Sequence, residues 1–258
     1  IFGSKINEIN KYTFSRCISL KKITIPSSCK KILEGAFCSC LSLESIIIPH
    51  NVTEIDEYAF SSCEQLKSIT IDTNITKCQQ TSFYDSQILT EINLSTNNDT
   101  IKVFDRNVFI YCKYINILEA TKINDKLFSN MDELEKVNFP PGKITLGERV
   151  FLNCKMLREI ILDEIDEIKD YTFKDCPMFE RISPHSMKGS NYTFPDSLLS
   201  IGDESFMNCT NLKILKFSPS SKLEKIGNKA FKKCSQINCE NFLVIPSSVS
   251  YIGYSAFD

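Results

Sequence analysis

A phenylalanine that recurs at intervals close to 23 residues constrains the fold of this chain more than any other feature. The first four members of the series are spaced by 23, 23 and 23 residues, and the later spacings are 26, 19, 23, 22, 33, 25 and 26. The series is Phe14, Phe37, Phe60, Phe83, Phe109, Phe128, Phe151, Phe173, Phe206, Phe231 and Phe257. A period between 20 and 50 residues is typical of solenoids, in which each repeat forms one turn and stacked turns share a core. We therefore expect about ten similar turns.

Other columns of the sequence keep the same phase as the phenylalanine. An apolar residue, usually isoleucine, lies five positions before it, and leucine or another apolar residue lies six positions after it. Three positions after it stands a cysteine, and Ser86 and Met131 are the exceptions. The cysteine column is Cys17, Cys40, Cys63, Cys112, Cys154, Cys176, Cys209 and Cys234. The shared phase indicates that these columns point into one common interior.

Each turn divides into three parts with different backbone requirements. The Leu-x-x-Ile-x-Ile run alternates between apolar and other residues, which predicts a half-buried strand. The proline that often follows, as at Pro26 and Pro49, lacks a backbone donor and ends the strand. The Ala-Phe-x-x-Cys part spaces apolar residues by three, which predicts a short α or 3₁₀ turn on the opposite side. The stacked strands are then expected to form a continuous parallel sheet.

The consensus Ile-x-x-x-Ala-Phe-x-x-Cys-x-x-Leu-x-x-Ile-x-Ile-Pro, clearest at residues 32–49 and 55–71, resembles the BspA-like class of leucine-rich repeats. The resemblance covers essentially the whole chain. It implies an α/β fold, a right-handed leucine-rich-repeat solenoid with a parallel β-sheet on its concave face and short α or 3₁₀ turns on its convex face. Members of the class are commonly surface antigens of mucosal bacteria and parasitic protozoa, and are implicated in adhesion to host proteins. The resemblance therefore implies a cell-surface or extracellular antigen or adhesin, and the Ile, Asn and Lys bias fits a parasitic protist.

Twelve cysteines can form disulfides, hold zinc or remain thiols. Stacked turns place equivalent residues about 4.8 Å apart with parallel side chains, which disfavours disulfide geometry, and no Cys-x-x-Cys pair suggests a zinc site. We therefore expect a column of buried thiols. Of the four cysteines outside it, Cys78 stands in the apolar column five positions before Phe83, and we expect Cys29, Cys38 and Cys239 to be exposed or reactive. Disulfides and zinc stay as alternatives. Buried thiols fit a reducing compartment, which keeps a cytoplasmic protein–protein interaction scaffold as the alternative function.

Several function classes are disfavoured by the sequence. Thirty basic and 32 acidic residues leave no excess of positive charge for a nucleic acid, and no apolar run of about 18 residues predicts membrane insertion. The two histidines, His50 and His185, have no nucleophile or carboxylate at a recognised spacing, and no glycine-rich phosphate loop or metal motif is present. We therefore predict a non-enzymatic chain without catalytic residues, cofactor or metal.

The outward positions of the alternating strands form the predicted binding surface, because solenoids bind along their concave face. These positions carry both charges and exposed aliphatic groups, which favours a protein partner, such as a host, matrix or cell-surface protein, over a nucleic acid. The alternative is that the face is merely solvated. The candidate residues are Lys22, Thr24, Ser45, Ile47, Ser68, Thr70, Glu91, Asn93, Lys136, Asn138, Glu159, Ile161 and Lys216.

The 33-residue spacing between Phe173 and Phe206 predicts an insertion near residues 184–191. Loops on a rigid scaffold often carry function, so His185, Met187, Lys188 and Tyr192 form a second candidate site, with a flexible spacer as the alternative. We expect one leucine-rich-repeat domain over residues 1–258. Because the chain starts and stops within a repeat, we also expect it to be a fragment of a longer repeat array.

Overall fold

The computed structural model describes residues 5–72, 75–95, 100–101, 106–109, 111–185, 194–213, 215–237 and 243–258. The chain divides into two compact units, Ile1–Glu119 and Ala120–Asp258. Both are built from short parallel strands in turns of about 23 residues, with almost no helix, so the predicted leucine-rich-repeat solenoid is confirmed. The expectation of one domain over the whole chain, cut from a longer array, stays a prediction.

Unit 1 contains two parallel ladders that lie on different sides of its turns. The strands are β1 Glu8–Ile9, β2 Lys31–Ile32, β3 Ser45–Ile48, β4 Glu54–Ile55, β5 Ser68–Asp72, β6 Lys77–Cys78, β7 Glu91–Ser95, β8 Thr100–Ile101 and β9 Tyr114–Ile117. Two-residue strands form the ladder β1-β2-β4-β6, and longer strands form the ladder β3-β5-β7-β9. In the short ladder Ile9 pairs with Ile32 and Ile32 with Ile55, so the register follows the predicted isoleucine column.

Unit 2 repeats this arrangement. Its strands are β10 Lys122–Ile123, β11 Lys136–Asn138, β12 Thr145–Leu146, β13 Glu159–Ile161, β14 Glu167–Ile168, β15 Arg181–Ser183, β16 Ser200–Ile201, β17 Lys225–Ile226 and β18 Tyr251–Ile252. The longer strands form the ladder β11-β13-β15. The two-residue strands pair as β10-β12 and as β14-β16-β17-β18.

The core of each unit contains a stack of phenylalanine rings, one from each turn. In unit 1 the ring centroids of Phe14, Phe37 and Phe60 follow one another at 5.2 and 5.2 Å with interplanar angles of 7° and 3°. In unit 2 the rings of Phe206 and Phe231 are 5.2 Å apart at 5°. The ring spacing equals about one strand spacing plus the offset that aromatic pairs prefer. The predicted inward direction of the phenylalanine column is therefore confirmed.

The side of the turn opposite the long strands differs in detail from a run of short helices. Among the described residues helix is limited to two 3₁₀ helices, Gln80–Phe83 and Arg106–Phe109. Elsewhere the residues two before and two after the phenylalanine have positive φ, as at Tyr58 (56°) and Ser62 (52°). The N–H of Phe60 then bonds the carbonyl of Ser82 in the next turn at 2.7 Å, whereas the N–H of Ser61 bonds within its own turn. Left-handed residues stop the helix and turn alternate N–H groups toward the neighbouring turn.

The cysteine column is buried, and the eleven cysteines among the described residues are free thiols. Cys17 at the first turn is the one column member that is partly exposed. The expectation for Cys29 was wrong, because this side chain is fully buried and its Sγ donates to the carbonyl of Lys31 at 3.3 Å. Cys38 is partly exposed, as expected, and Cys239 lies outside the described residues.

Candidate functional site

The outward side chains of β3, β5, β7 and β9 form a surface that we call the unit 1 strand face. Its two rows are Ser45, Ser68, Glu91 and Tyr114, and Ile47, Thr70, Asn93 and Asn116. The Asn116 amide donates to Asn93 Oδ1 at 2.8 Å and to Glu91 Oε1 at 2.9 Å, and the Asn93 amide approaches Thr70 Oγ1 at 3.5 Å. Glu91 is the one charged side chain of the eight, so this face is a nearly neutral row of hydroxyl and amide groups.

Two large side chains stand out from the neutral rows of the unit 1 strand face. Ile47 is 63% exposed and Tyr114 is 42% exposed. An exposed aliphatic side chain and an exposed tyrosine on a surface held rigid by paired strands are typical of interface anchors. The face therefore combines small polar groups with two apolar contact points.

The outward side chains of β11, β13 and β15 form the unit 2 strand face, which is charged. Glu159 lies at its centre and accepts from Lys136 Nζ at 3.0 Å, Arg181 Nε at 2.8 Å and Ser183 Oγ at 2.6 Å. Burial by itself raises the pKa of Glu159, but the donors of Ser183, Arg181 and Lys136 outweigh it and lower the pKa to about 2. Glu159 is therefore a fixed negative charge that orients two cations across three turns.

The long-strand exit of unit 2 holds a histidine–carboxylate pair. The His185 backbone N–H donates to Asp163 Oδ1 at 2.8 Å, and His185 Nδ1 lies 3.0 Å from the same oxygen. Burial raises the pKa of Asp163, but these contacts with His185 lower it overall. His185, the first residue of the predicted loop site, is thus held by Asp163, which follows β13. Its predicted companions Met187, Lys188 and Tyr192 lie outside the described residues, as does most of the expected insertion.

Most of the predicted binding residues lie on the outward side of a strand, as the apolar–polar alternation of the sequence predicts. The exceptions are Lys22, Thr24 and Lys216, which are exposed but belong to segments that form no strand. The assignment of these strand-face residues to a binding site stays a proposal. The interpretation missed four residues that share the same rows by register, namely Tyr114, Asn116, Arg181 and Ser183. The same apolar–polar alternation, applied to residues 114–117 and 181–183, contains the signal that predicts them.

The described residues contain no group of three or more histidine, cysteine or acidic side chains that could hold a metal ion. Within this part of the chain, no helix has the length and apolar character needed to cross a membrane. The polar contacts of both strand faces join one turn to the next, so they hold the outward side chains in defined positions. Both faces can therefore present ordered hydrogen-bond donors, hydrogen-bond acceptors and charges to another surface.

Comparisons with known proteins agree with this architecture. The family model of the BspA type leucine-rich repeat region matches the chain in six copies over residues 1–116, 103–188 and 185–258. A crystal structure of a leucine-rich repeat protein from Bacteroides ovatus is 24% identical, with a TM-score of 0.54, over 99% of this chain and 74% of that one. A leucine-rich cell surface protein from Faecalibacterium prausnitzii is 19% identical, with a TM-score of 0.42, over 96% of this chain and 69% of that one. No curated protein matches the chain.

Proposed function

Because the chain belongs to the BspA-type leucine-rich repeat family, we propose that it is a cell-surface antigen or adhesin that binds a host or matrix protein through its strand faces. Repeats of this family generally form protein-interaction scaffolds and surface antigens, and their folds are typically non-catalytic. The family thus supports a binding role, and the side chains of this chain supply the argument for where binding occurs.

The observation that carries the proposal is the exposure of Ile47 and Tyr114 on the ordered unit 1 strand face. Burying such side chains against a partner removes apolar area from water, at roughly 25 cal/mol for each Å². Because the surrounding hydroxyl and amide groups are held by paired strands, little conformational entropy is lost when they bind. The charges around Glu159 on the unit 2 strand face add selectivity, since fixed charges exclude partners of unmatched potential.

The experiment compares binding of immobilised purified collagen, laminin and fibronectin to the chain and to two variants. Ile47→Lys combined with Tyr114→Lys places two charges on the unit 1 strand face, and binding should weaken at least tenfold. Tyr58→Lys combined with Tyr84→Lys is the matched control, because these tyrosines are 41% and 64% exposed and lie outside the long strands. Equal losses for both variants, or no binding of the chain to any of the three, would contradict the proposal.

A cytoplasmic interaction scaffold is the second candidate, and one observation favours it. The eleven cysteines among the described residues are free thiols, whereas thiols in oxidising compartments tend to become disulfides. Antibody staining of intact and permeabilised cells of the native host separates the two locations. Staining of intact cells supports the surface role, and staining that requires permeabilisation supports the scaffold.

A further inference from the structure

The first turn of unit 1 departs from the ladder that its neighbours form. The N–H of Glu44 donates to the carbonyl of Lys21 at 3.2 Å, and the Asn51 amide donates to the carbonyl of Ser27 at 2.7 Å. Between these two points, and among the described residues, no backbone hydrogen bond joins residues 22–26 to residues 45–49. β3 is therefore paired with β5 on one edge but has no strand on the edge that faces the first turn.

A groove of about 1180 Å³ opens between these two segments. Its apolar lining includes Phe14, Leu20, Ile23 and Ile46. Its rim contains Thr24 and Ile47, so part of the predicted binding surface converges on it. Among the described residues that line the groove, the ionisable side chains are Lys22 and His50, and none is a carboxylate.

The backbone of β3 limits what can occupy this groove. An unpaired strand edge offers a row of N–H and C=O groups that only another extended backbone satisfies at the strand spacing of about 4.8 Å. A helix is about 10 Å wide and has no backbone groups to exchange along its length. Strand addition at an exposed sheet edge is a common mode of peptide recognition, in which backbone bonds provide affinity and side-chain pockets provide specificity.

We propose that the groove binds an extended segment of the partner protein, which pairs with the open edge of β3 as an added strand. Alternate apolar side chains of that segment pack on Leu20 and Ile23, and a carboxylate of the segment faces Lys22. The inference rests on the proposed protein-binding function and names the element of the partner that is recognised. A carboxylate is specified because Lys22 is positively charged and the described lining residues include no acidic side chain.

The test uses a fluorescein-labelled synthetic peptide, Glu-Val-Thr-Val-Thr-Val-Thr-Val, and fluorescence anisotropy with the full chain. Two further peptides carry N-methyl groups on alternate amides, one in each phase. In a strand pair alternate N–H groups point to the partner, so one methylated peptide should bind at least tenfold more weakly and the other nearly unchanged. Equal binding of the two methylated peptides, or no binding of the parent peptide, would overturn the proposal.

Charge variants test the position of the peptide. Lys22→Glu should weaken binding of the parent peptide at least fivefold, whereas Lys67→Glu, at another exposed lysine of unit 1 outside the groove, should leave it unchanged. Equal effects of the two variants would also overturn the proposal. If collagen, laminin or fibronectin binds through the strand face while the peptide does not bind, the groove inference fails and the proposed function stands. If one methylated peptide binds more weakly than the other while no matrix protein binds, the groove inference stands and the proposed function fails.

Discussion

The thiol of Cys63 donates a hydrogen bond to the backbone carbonyl of Phe37, the core phenylalanine of the preceding turn, at 3.3 Å. The same contact recurs along the column, with Sγ–O distances of 3.2 Å from Cys40 to Phe14 and 3.1 Å from Cys209 to Phe173. Ser86, which stands in this column, donates from its hydroxyl to the carbonyl of Phe60 at 2.7 Å. In these turns the column therefore holds a small side chain that donates a hydrogen bond. Buried Met131 occupies the same position in another turn without such a donor, and Cys112 donates to the carbonyl of Tyr114 instead.

Cys63→Ser should lower the free energy of unfolding less than Cys63→Ala. Serine keeps a donor for the Phe37 carbonyl, whereas alanine removes the donor and leaves a small cavity. The expected difference is about 1 kcal/mol, the typical net value of one such bond. Urea unfolding followed by circular dichroism measures it. If alanine is the milder change, the thiol acts through packing alone.

Alkaline pH should destabilise the chain through its buried thiols. Burial raises the pKa of Cys63, Cys112 and Cys234 to about 12, from an ordinary value of 9.0. A raised pKa in the folded state means that the folded chain holds the proton more tightly, so the stabilisation is complete below pH 9 and is lost as the pH rises toward 12. Each thiol contributes at most about 1.4 kcal/mol per pH unit in that range. Urea midpoints at pH 8 and pH 10.5 measure the slope, which should be smaller in Cys63→Ser.

Acid should destabilise the unit 2 strand face through Glu159. The net effect of its donors lowers the pKa of this carboxylate to about 2 from 4.5, so its stabilisation is present above pH 4.5 and is lost as the pH falls toward 2. Glu159→Gln should cost about 1–3 kcal/mol at pH 7, because Lys136 and Arg181 lose their shared anion. The variant should also lose less stability than the parent between pH 6 and pH 2.5. If Glu159→Gln loses stability between pH 6 and pH 2.5 as the parent does, Glu159 is not responsible for the loss of stability in acid.

Phe60→Ala should lower the free energy of unfolding by about 3–5 kcal/mol, as for other buried phenylalanines. The Phe60 ring is fully buried between Phe37 at 5.2 Å and Phe83 at 5.3 Å, so its removal interrupts the stack. Lys22→Ala is the control, because Lys22 is exposed and its loss should change stability by less than about 0.5 kcal/mol. Thermal melting of both variants tests whether Phe60 points inward and Lys22 outward. Comparable decreases in melting temperature for the two variants would refute this assignment.

Gly202→Ala should destabilise unit 2 by about 1–3 kcal/mol, because the added Cβ would lie 2.5 Å from Asp170 Oδ1 and 2.7 Å from its backbone nitrogen. That carboxylate accepts the N–H of Asp203 at 2.7 Å and would have to move. The equivalent position in unit 1 holds Leu33, and the position of Asp170 holds Lys11, whose side chain extends to Glu34. The measured quantity is the urea midpoint, with Lys216→Ala as the exposed control. An unchanged midpoint for Gly202→Ala would show that the aspartate moves without cost.

Much of the fold follows from the repeat alone because every turn meets the same environment above and below it. A column such as Phe14, Phe37 and Phe60 must point inward in all turns or in none, so a few well-conserved copies predict the register of the rest. The two rows of the unit 1 strand face follow from the same alternation, although Tyr114 and Asn116 were not included. The buried position of Cys29 was not predicted, although Cys29 stands eight positions before Phe37 in a further apolar column that was not included. The same position in other turns holds Val52, Ile75, Ala120, Ile165, Leu198 and Leu223, all of them buried.

The linear order of apolar, thiol and alternating residues determined by itself that this chain stacks into a parallel solenoid of 23-residue turns, since burial of periodic side chains is a local requirement repeated along the chain. Tertiary structure alone decided three features: the left-handed residues beside most phenylalanines of the series, the anchoring of Glu159 between Lys136 and Arg181, and the separation of residues 22–26 from β3. Each of these depends on hydrogen bonds between neighbouring turns, and such bonds form only when residues some 23 positions apart are brought to strand distance.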